Sequence, residues 1–103
     1  MGVKERIDFD AVRAASQRNV LPILHRICPG GRVIAGEYEV RNPRRSDRNP
    51  GSFRINVRTG RWADFATGDR GGDVISLVAY LLDTSQLEAA RRLADLLSVQ
   101  ASK

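Results

Sequence analysis

Seven arginines fall between residues 41 and 61 (Arg41, Arg44, Arg45, Arg48, Arg54, Arg58 and Arg61), with Asp47 the one acid among them. That stretch carries +6, against +5 for the whole 103-residue chain, so everything outside it sums to about −1. A guanidinium is a planar fork of donors that matches phosphate oxygens in pairs, and charge concentrated in this way makes a local field that attracts a polyanion. The plainer alternative is a solvated arginine face on a small basic protein. The phosphate reading takes Arg44, Arg48, Arg54, Arg58 and Arg61 as the nucleic-acid-binding set. Such contacts are weakly sequence-selective and strongly salt-dependent. Trp62 follows directly. Its indole is either part of the core or, turned outward among the arginines, a platform on which a base stacks.

Other chemistry has little to stand on. His25 and Cys28 lie three residues apart, but no second pair at ligand spacing accompanies them, and a structural zinc normally takes four ligands. Cys28 is expected in the core and His25 at the surface. Asp64, Asp69 and Asp73 could hold Mg²⁺ only with a companion phosphate, and roles in a turn and a helix cap account for Asp69 and Asp73. No Gly-x-Ser-x-Gly or Walker-type Gly-Lys-[Ser/Thr] motif is present, and Gly68, Gly71 and Gly72 lack the order of a dinucleotide site. The chain is expected not to be an enzyme and to need no cofactor; an enzyme built on the three aspartates ranks last.

The elements that must position the arginines follow from periodicity. Asp8 or Asp10 caps a short first helix containing Phe9 and Val12. Asn19 caps a second, with Val20, Ile23, Leu24 and Ile27 at helical spacing, stopped by Pro29-Gly30-Gly31. Residues 32–40 form one bent strand or a tight hairpin at Gly36, with Tyr38 and Val40 inward. Phe53, Ile55 and Val57 alternate with Arg54, Asn56 and Arg58, and Thr59-Gly60 turns the chain back. A two-residue loop sets Trp62 opposite Val57 in the core; a three-residue loop sends it outward. Gly68, Gly71 and Gly72 supply turn positions, and Asp73 caps a third, largely apolar helix from Val74, expected at the structural centre. Ser85 with Glu88 forms a capping box for the last helix, where Leu87, Ala90, Ala94 and Leu97 face inward and Glu88–Arg92 and Arg91–Asp95 pair.

The length fits one α+β domain over residues 1–103: N-terminal helices to 31, a small antiparallel sheet over 32–66, and C-terminal helices over 67–98. The single cysteine argues for a reducing setting, and neither a signal peptide nor a spanning segment is apparent. A cytoplasmic, membrane-free protein is expected.

From Tyr38 to about Leu97 the order of features resembles the N-terminal zinc-ribbon domain of bacterial, phage and plasmid DNA primases. That family runs from a strand to a Cys-Pro-x-His knuckle, a Pro-Ser-Phe strand, an aromatic, a Cys-x-x-Cys knuckle, and Gly-Gly-Asp/Asn opening an apolar helix. The matching residues are Asn42-Pro43-Arg44-Arg45, Pro50-Gly51-Ser52-Phe53, Trp62, Asp64-Phe65-Ala66-Thr67, Gly71-Gly72-Asp73, and Ser85-Gln86-Leu87-Glu88-Ala89 at the final helix start. Against that pattern Asn42, Arg45, Asp64 and Thr67 replace all four metal ligands, so no zinc of ordinary affinity is expected. An Arg45–Asp64 ion pair is expected across the former metal site, with Asn42 and Thr67 hydrogen-bonding nearby.

The resemblance implies a role of the shared surface in touching single-stranded template DNA, without the polymerase domain. The function expected is therefore a non-catalytic module binding single-stranded nucleic acid, most plausibly DNA, in replication or priming in a phage or plasmid setting. The alternative is an adaptor docking on a separate primase or helicase protein, or another acidic partner.

Overall fold

The computed structural model describes residues 7–44 and 51–97. Four helices and five strands follow in the order α1 (Phe9–Gln17), α2 (Val20–Ile27), β1 (Arg32–Ile34), β2 (Glu37–Val40), β3 (Phe53–Asn56), β4 (Trp62–Asp64), β5 (Arg70–Gly71), α3 (Val74–Leu82) and α4 (Gln86–Leu97). The sheet is an antiparallel meander in sequence order, so the fold is α+β as expected. It extends one strand further than residue 66, because Ala63 pairs with Arg70 and Trp62 with Gly71.

Asp8 caps α1, its carboxylate accepting from the Ala11 amide at 3.1 Å. Asn19 precedes α2 without a capping bond; its amide donates back to the Ala15 carbonyl instead. Residues 32–40 form a hairpin. Ala35 and Gly36 both take positive φ (52° and 81°), the turn whose twist matches that of the flanking strands. Asp73 caps α3 through a reciprocal box with Ser76. The α4 stripe is rotated from expectation. Ala89, Ala90, Leu93 and Ala94 are buried while Leu87 is 42% exposed, because α4 packs on both α3 and α1 through small residues that allow close approach. Glu88 bonds Arg92 at 3.1 Å, whereas Arg91 and Asp95 do not bond.

Sheet and helices share one core. Tyr38, Val40, Phe53, Ile55 and Trp62 from the inner sheet face meet Val12, Val20, Ile23, Leu24, Ile75, Leu77 and Leu93. Each such side chain contributes about 1.5–3 kcal/mol of burial. Cys28 is buried here, and burial pushes its thiol up to about 11. His25 lies at the surface, its ring 5.7 Å from that of Tyr38 in an edge-to-face arrangement. α1 is pinned to the start of α3 by the Arg13 Nε–Asp73 Oδ2 pair at 2.8 Å. No helix among the described residues is long and apolar enough to cross a membrane.

Candidate nucleic-acid interface

Strand pairing decides which side chains share the outer sheet face. Glu39 stands opposite Arg54, and Arg54 opposite Ala63. Ala63 in turn stands opposite Arg70, while Glu37 faces Asn56. The small side chain of Ala63 leaves a hollow between larger neighbours. The result is a shallow groove of about 790 Å³ bounded by Arg54, Arg61, Arg70, Phe65, Asn56 and Glu37. Phe65 is 70% exposed at one end of it.

The arginines expected to act together separate into two groups. Arg44 leaves the sheet: its Nη1 reaches the Tyr80 carbonyl at 3.0 Å and Asp83 at 3.6 Å, and its guanidinium covers the Tyr80 ring. A cation there meets the last carbonyls and the negative dipole end of α3, which explains its capture. Arg54 does line the groove, but it is tethered. Its Nε donates to the Gly51 carbonyl at 2.7 Å, Glu37 and Glu39 each lie 3.8 Å away, and its guanidinium sits over the Phe65 ring. Arg58 and Arg61 are exposed, and no hydrogen bond or ion pair engages either guanidinium among the described residues. Only Arg61 of these two reaches the groove. Arg48 and Arg45 fall outside the described residues, as does the expected Arg45–Asp64 pair.

Trp62 is a core residue, which removes it from the stacking role. It is 6% exposed, packs 4.6 Å from the Tyr80 ring centroid, and donates from Nε1 to Ser76 Oγ at 3.0 Å. The hairpin loop is longer than two residues: the Asn56 amide donates to the Arg61 carbonyl and the Gly60 amide to the Asn56 carbonyl. Trp62 therefore pairs with Ile55 rather than Val57. The two registers have the same parity, so both send the indole inward. Gly71 permits this: a Cβ there would lie 2.4 Å from both Trp62 Nε1 and Ser76 Oγ.

Two groove residues escaped the sequence reading. Phe65, placed at the end of its strand, is the exposed aromatic that Trp62 is not. Arg70, assigned to a turn, belongs to β5 and stands across Ala63 from Arg54. The clue available was the polar Asp69-Arg70 pair, but a two-residue edge strand leaves no periodic trace.

Beneath the groove lies a polar knot. The buried Asn42 side chain donates from Nδ2 to Asp64 Oδ2 and to the Tyr80 hydroxyl, both at 2.9 Å, and its Oδ1 accepts from the Arg44 amide. Asp64, fully buried, also accepts from the Ala66 amide. The Tyr80 hydroxyl donates to Asp69 at 2.7 Å. Burial, with Asp69 as acceptor, raises the Tyr80 pKa despite Asn42's opposing bond. Thr67 borders this knot: its side chain is exposed, its amide donates to the Asp64 carbonyl at 3.3 Å, and its hydroxyl accepts from the Asp69 amide. Among the described residues no group of three His, Cys, Asp or Glu side chains could hold a metal.

No protein-family model matches the sequence, and no curated protein matches it. A solved structure does. It is the crystal structure of the Aquifex aeolicus primase (zinc binding and RNA polymerase domains), similar at a TM-score of 0.72 over 92% of this chain, with 24% identity. The chain has a primase zinc-ribbon-like fold. It spans 22% of that primase's length, so the likeness concerns one small domain of a larger protein.

Proposed function

We propose that this domain binds single-stranded DNA in replication or priming along the groove of the outer sheet face. Arg61 and Arg70 grip phosphates, Arg54 borders the groove, and Phe65 offers a ring to a base. The observation that carries this is the composition of the groove: three arginines around a small floor residue, with an aromatic 70% exposed at its end. An unpaired strand uses both, phosphate for charge and base for stacking. The likeness to a primase zinc-binding domain supports the same reading.

In this proposal Asn42 and Asp64 occupy two positions of a former metal site, whose clip is replaced by hydrogen bonds. Fluorescence anisotropy with a labelled single-stranded oligonucleotide at about 50 and about 200 mM salt tests binding. Affinity should fall with salt, and Arg61→Ala with Arg70→Ala should flatten the log–log slope by about 0.7 for each phosphate no longer neutralised. Salt-insensitive binding, or a double variant that binds like the parent, overturns it.

A second reading, an adaptor for a separate primase or helicase protein, draws on one observation. An apolar groove lined by Ile27, Val78, Leu82, Leu93 and Leu96, flanked by Arg26 and Arg92, runs along the helices, with Leu82 49% exposed. That reading predicts that Leu82→Asp abolishes partner capture and leaves oligonucleotide binding intact.

A further inference from the structure

Resting on the nucleic-acid reading, we propose that Glu37 and Asn56 form a base-reading pair selective for guanine. The two residues are direct partners across β2 and β3, and both line the groove. Antiparallel partners carry their side chains about 5 Å apart, comparable with the width of a base edge.

Their hydrogen-bonding states are unequal and fixed. Asn56 Oδ1 accepts from the amides of Arg58 (2.8 Å) and Thr59 (2.9 Å). Two N–H donors aimed at one atom settle which end of the amide is oxygen, because an NH₂ group there would oppose both. Nδ2 is thereby committed to point elsewhere, and it meets no acceptor among the described residues. The Glu37 side chain is 38% exposed, and its carboxylate lies 3.8 Å from Arg54 Nη1, beyond hydrogen-bond reach. The site therefore presents one held donor beside a carboxylate that Arg54 pairs with by charge, while neither of its oxygens accepts a hydrogen bond among the described residues.

Among the bases, guanine alone complements that row. Its Watson–Crick edge places the O6 acceptor beside two adjacent donors, N1–H and N2–H. O6 accepts from Asn56 Nδ2, while N1–H and N2–H donate to the two oxygens of Glu37. Adenine and cytosine each offer one amino donor next to a ring-nitrogen acceptor, which would face the second carboxylate oxygen. Thymine and uracil flank their single N–H with two carbonyls and repel it similarly. The edge is reachable only in an unpaired strand, which matches the shallow, open groove. Arg61, opposite Asn56 through the loop-closing hydrogen bond, stands ready for the adjoining phosphate.

The test compares three labelled oligothymidylates of about twelve nucleotides by fluorescence anisotropy. One is unmodified, one carries a central deoxyguanosine, and one a central deoxyinosine, which lacks the N2 amino group. The deoxyguanosine strand should bind about tenfold more tightly than the unmodified strand, as a bidentate base contact provides, and deoxyinosine should lose most of that gain. Glu37→Gln should erase the preference, so that the variant binds the three strands alike. Equal binding of all three strands, or a preference that persists in Glu37→Gln, overturns the guanine inference while the strand-binding reading stands. Absence of binding to any strand removes both.

Discussion

Asn42 donates from Nδ2 to Asp64 Oδ2 at 2.9 Å in the interior, joining the chain just past β2 to the end of β4. Because the same amide reaches Tyr80 on α3, one side chain ties two strands to a helix. A buried carboxylate requires its donors, and a hydrogen bond to a charged group is worth about 1.5–3 kcal/mol. Asn42→Ala should therefore lower the unfolding free energy by about that amount in urea denaturation. Adding a chelator should leave the parent's transition midpoint unchanged.

Gly71→Ala should be costly although the φ of Gly71 is ordinary. The added methyl would meet Trp62 Nε1 and Ser76 Oγ, each 2.4 Å away. Overpacking of this kind costs about 1–3 kcal/mol. Thermal denaturation should show the loss, with a shift in tryptophan emission as the indole is displaced.

Asp73 links stability to pH. Burial would raise its pKa, but the hydrogen bonds from Arg13 and the Ser76 amide reverse that, and the net shift is downward from 3.8. A carboxyl with a lowered folded pKa contributes stability above its unfolded value, and the contribution disappears as pH falls through the folded one. Asp73→Ala should cost about 1 kcal/mol near neutrality, the usual value of a lost cap. Parent and variant should converge in denaturation profiles only once the pH drops below the ordinary carboxylate range.

Phe65→Ala separates binding from folding. The ring is 70% exposed, so thermal stability should hold. Losing a stacked base costs about 1–3 kcal/mol, which should appear as at least a fivefold weaker oligonucleotide affinity in the anisotropy assay. Arg58→Ala, outside the groove, should change affinity far less than Arg61→Ala.

Cys28 should resist alkylation in the native state. With its thiol pushed up to about 11 and its side chain buried, the thiolate is scarce and shielded. Mass spectrometry after iodoacetamide treatment should find modification only once denaturant is added.

Local pattern determined much of this protein. Alternation of Phe53 and Ile55 with Arg54 and Asn56 marked β3 and its two faces, because strand side chains alternate regardless of context. The Asp73 cap and the α3 apolar run were equally legible, since capping and helical periodicity act within a few residues. The order of short motifs around Asn42, Phe53, Asp64 and Gly71 pointed to the primase zinc-ribbon-like architecture. Tertiary structure decided what depends on distant partners. It fixed the longer loop behind the Ile55–Trp62 register, and it drew Arg44 to the end of α3 and Arg54 to glutamates on β2. It also rotated the buried stripe of α4 onto Leu93. Above all it brought Arg70 across Ala63 from Arg54, residues sixteen apart whose meeting depends on a two-residue edge strand. Charge is written in the sequence, but the direction in which a guanidinium points is set by whichever carbonyl or carboxylate the fold carries within its reach.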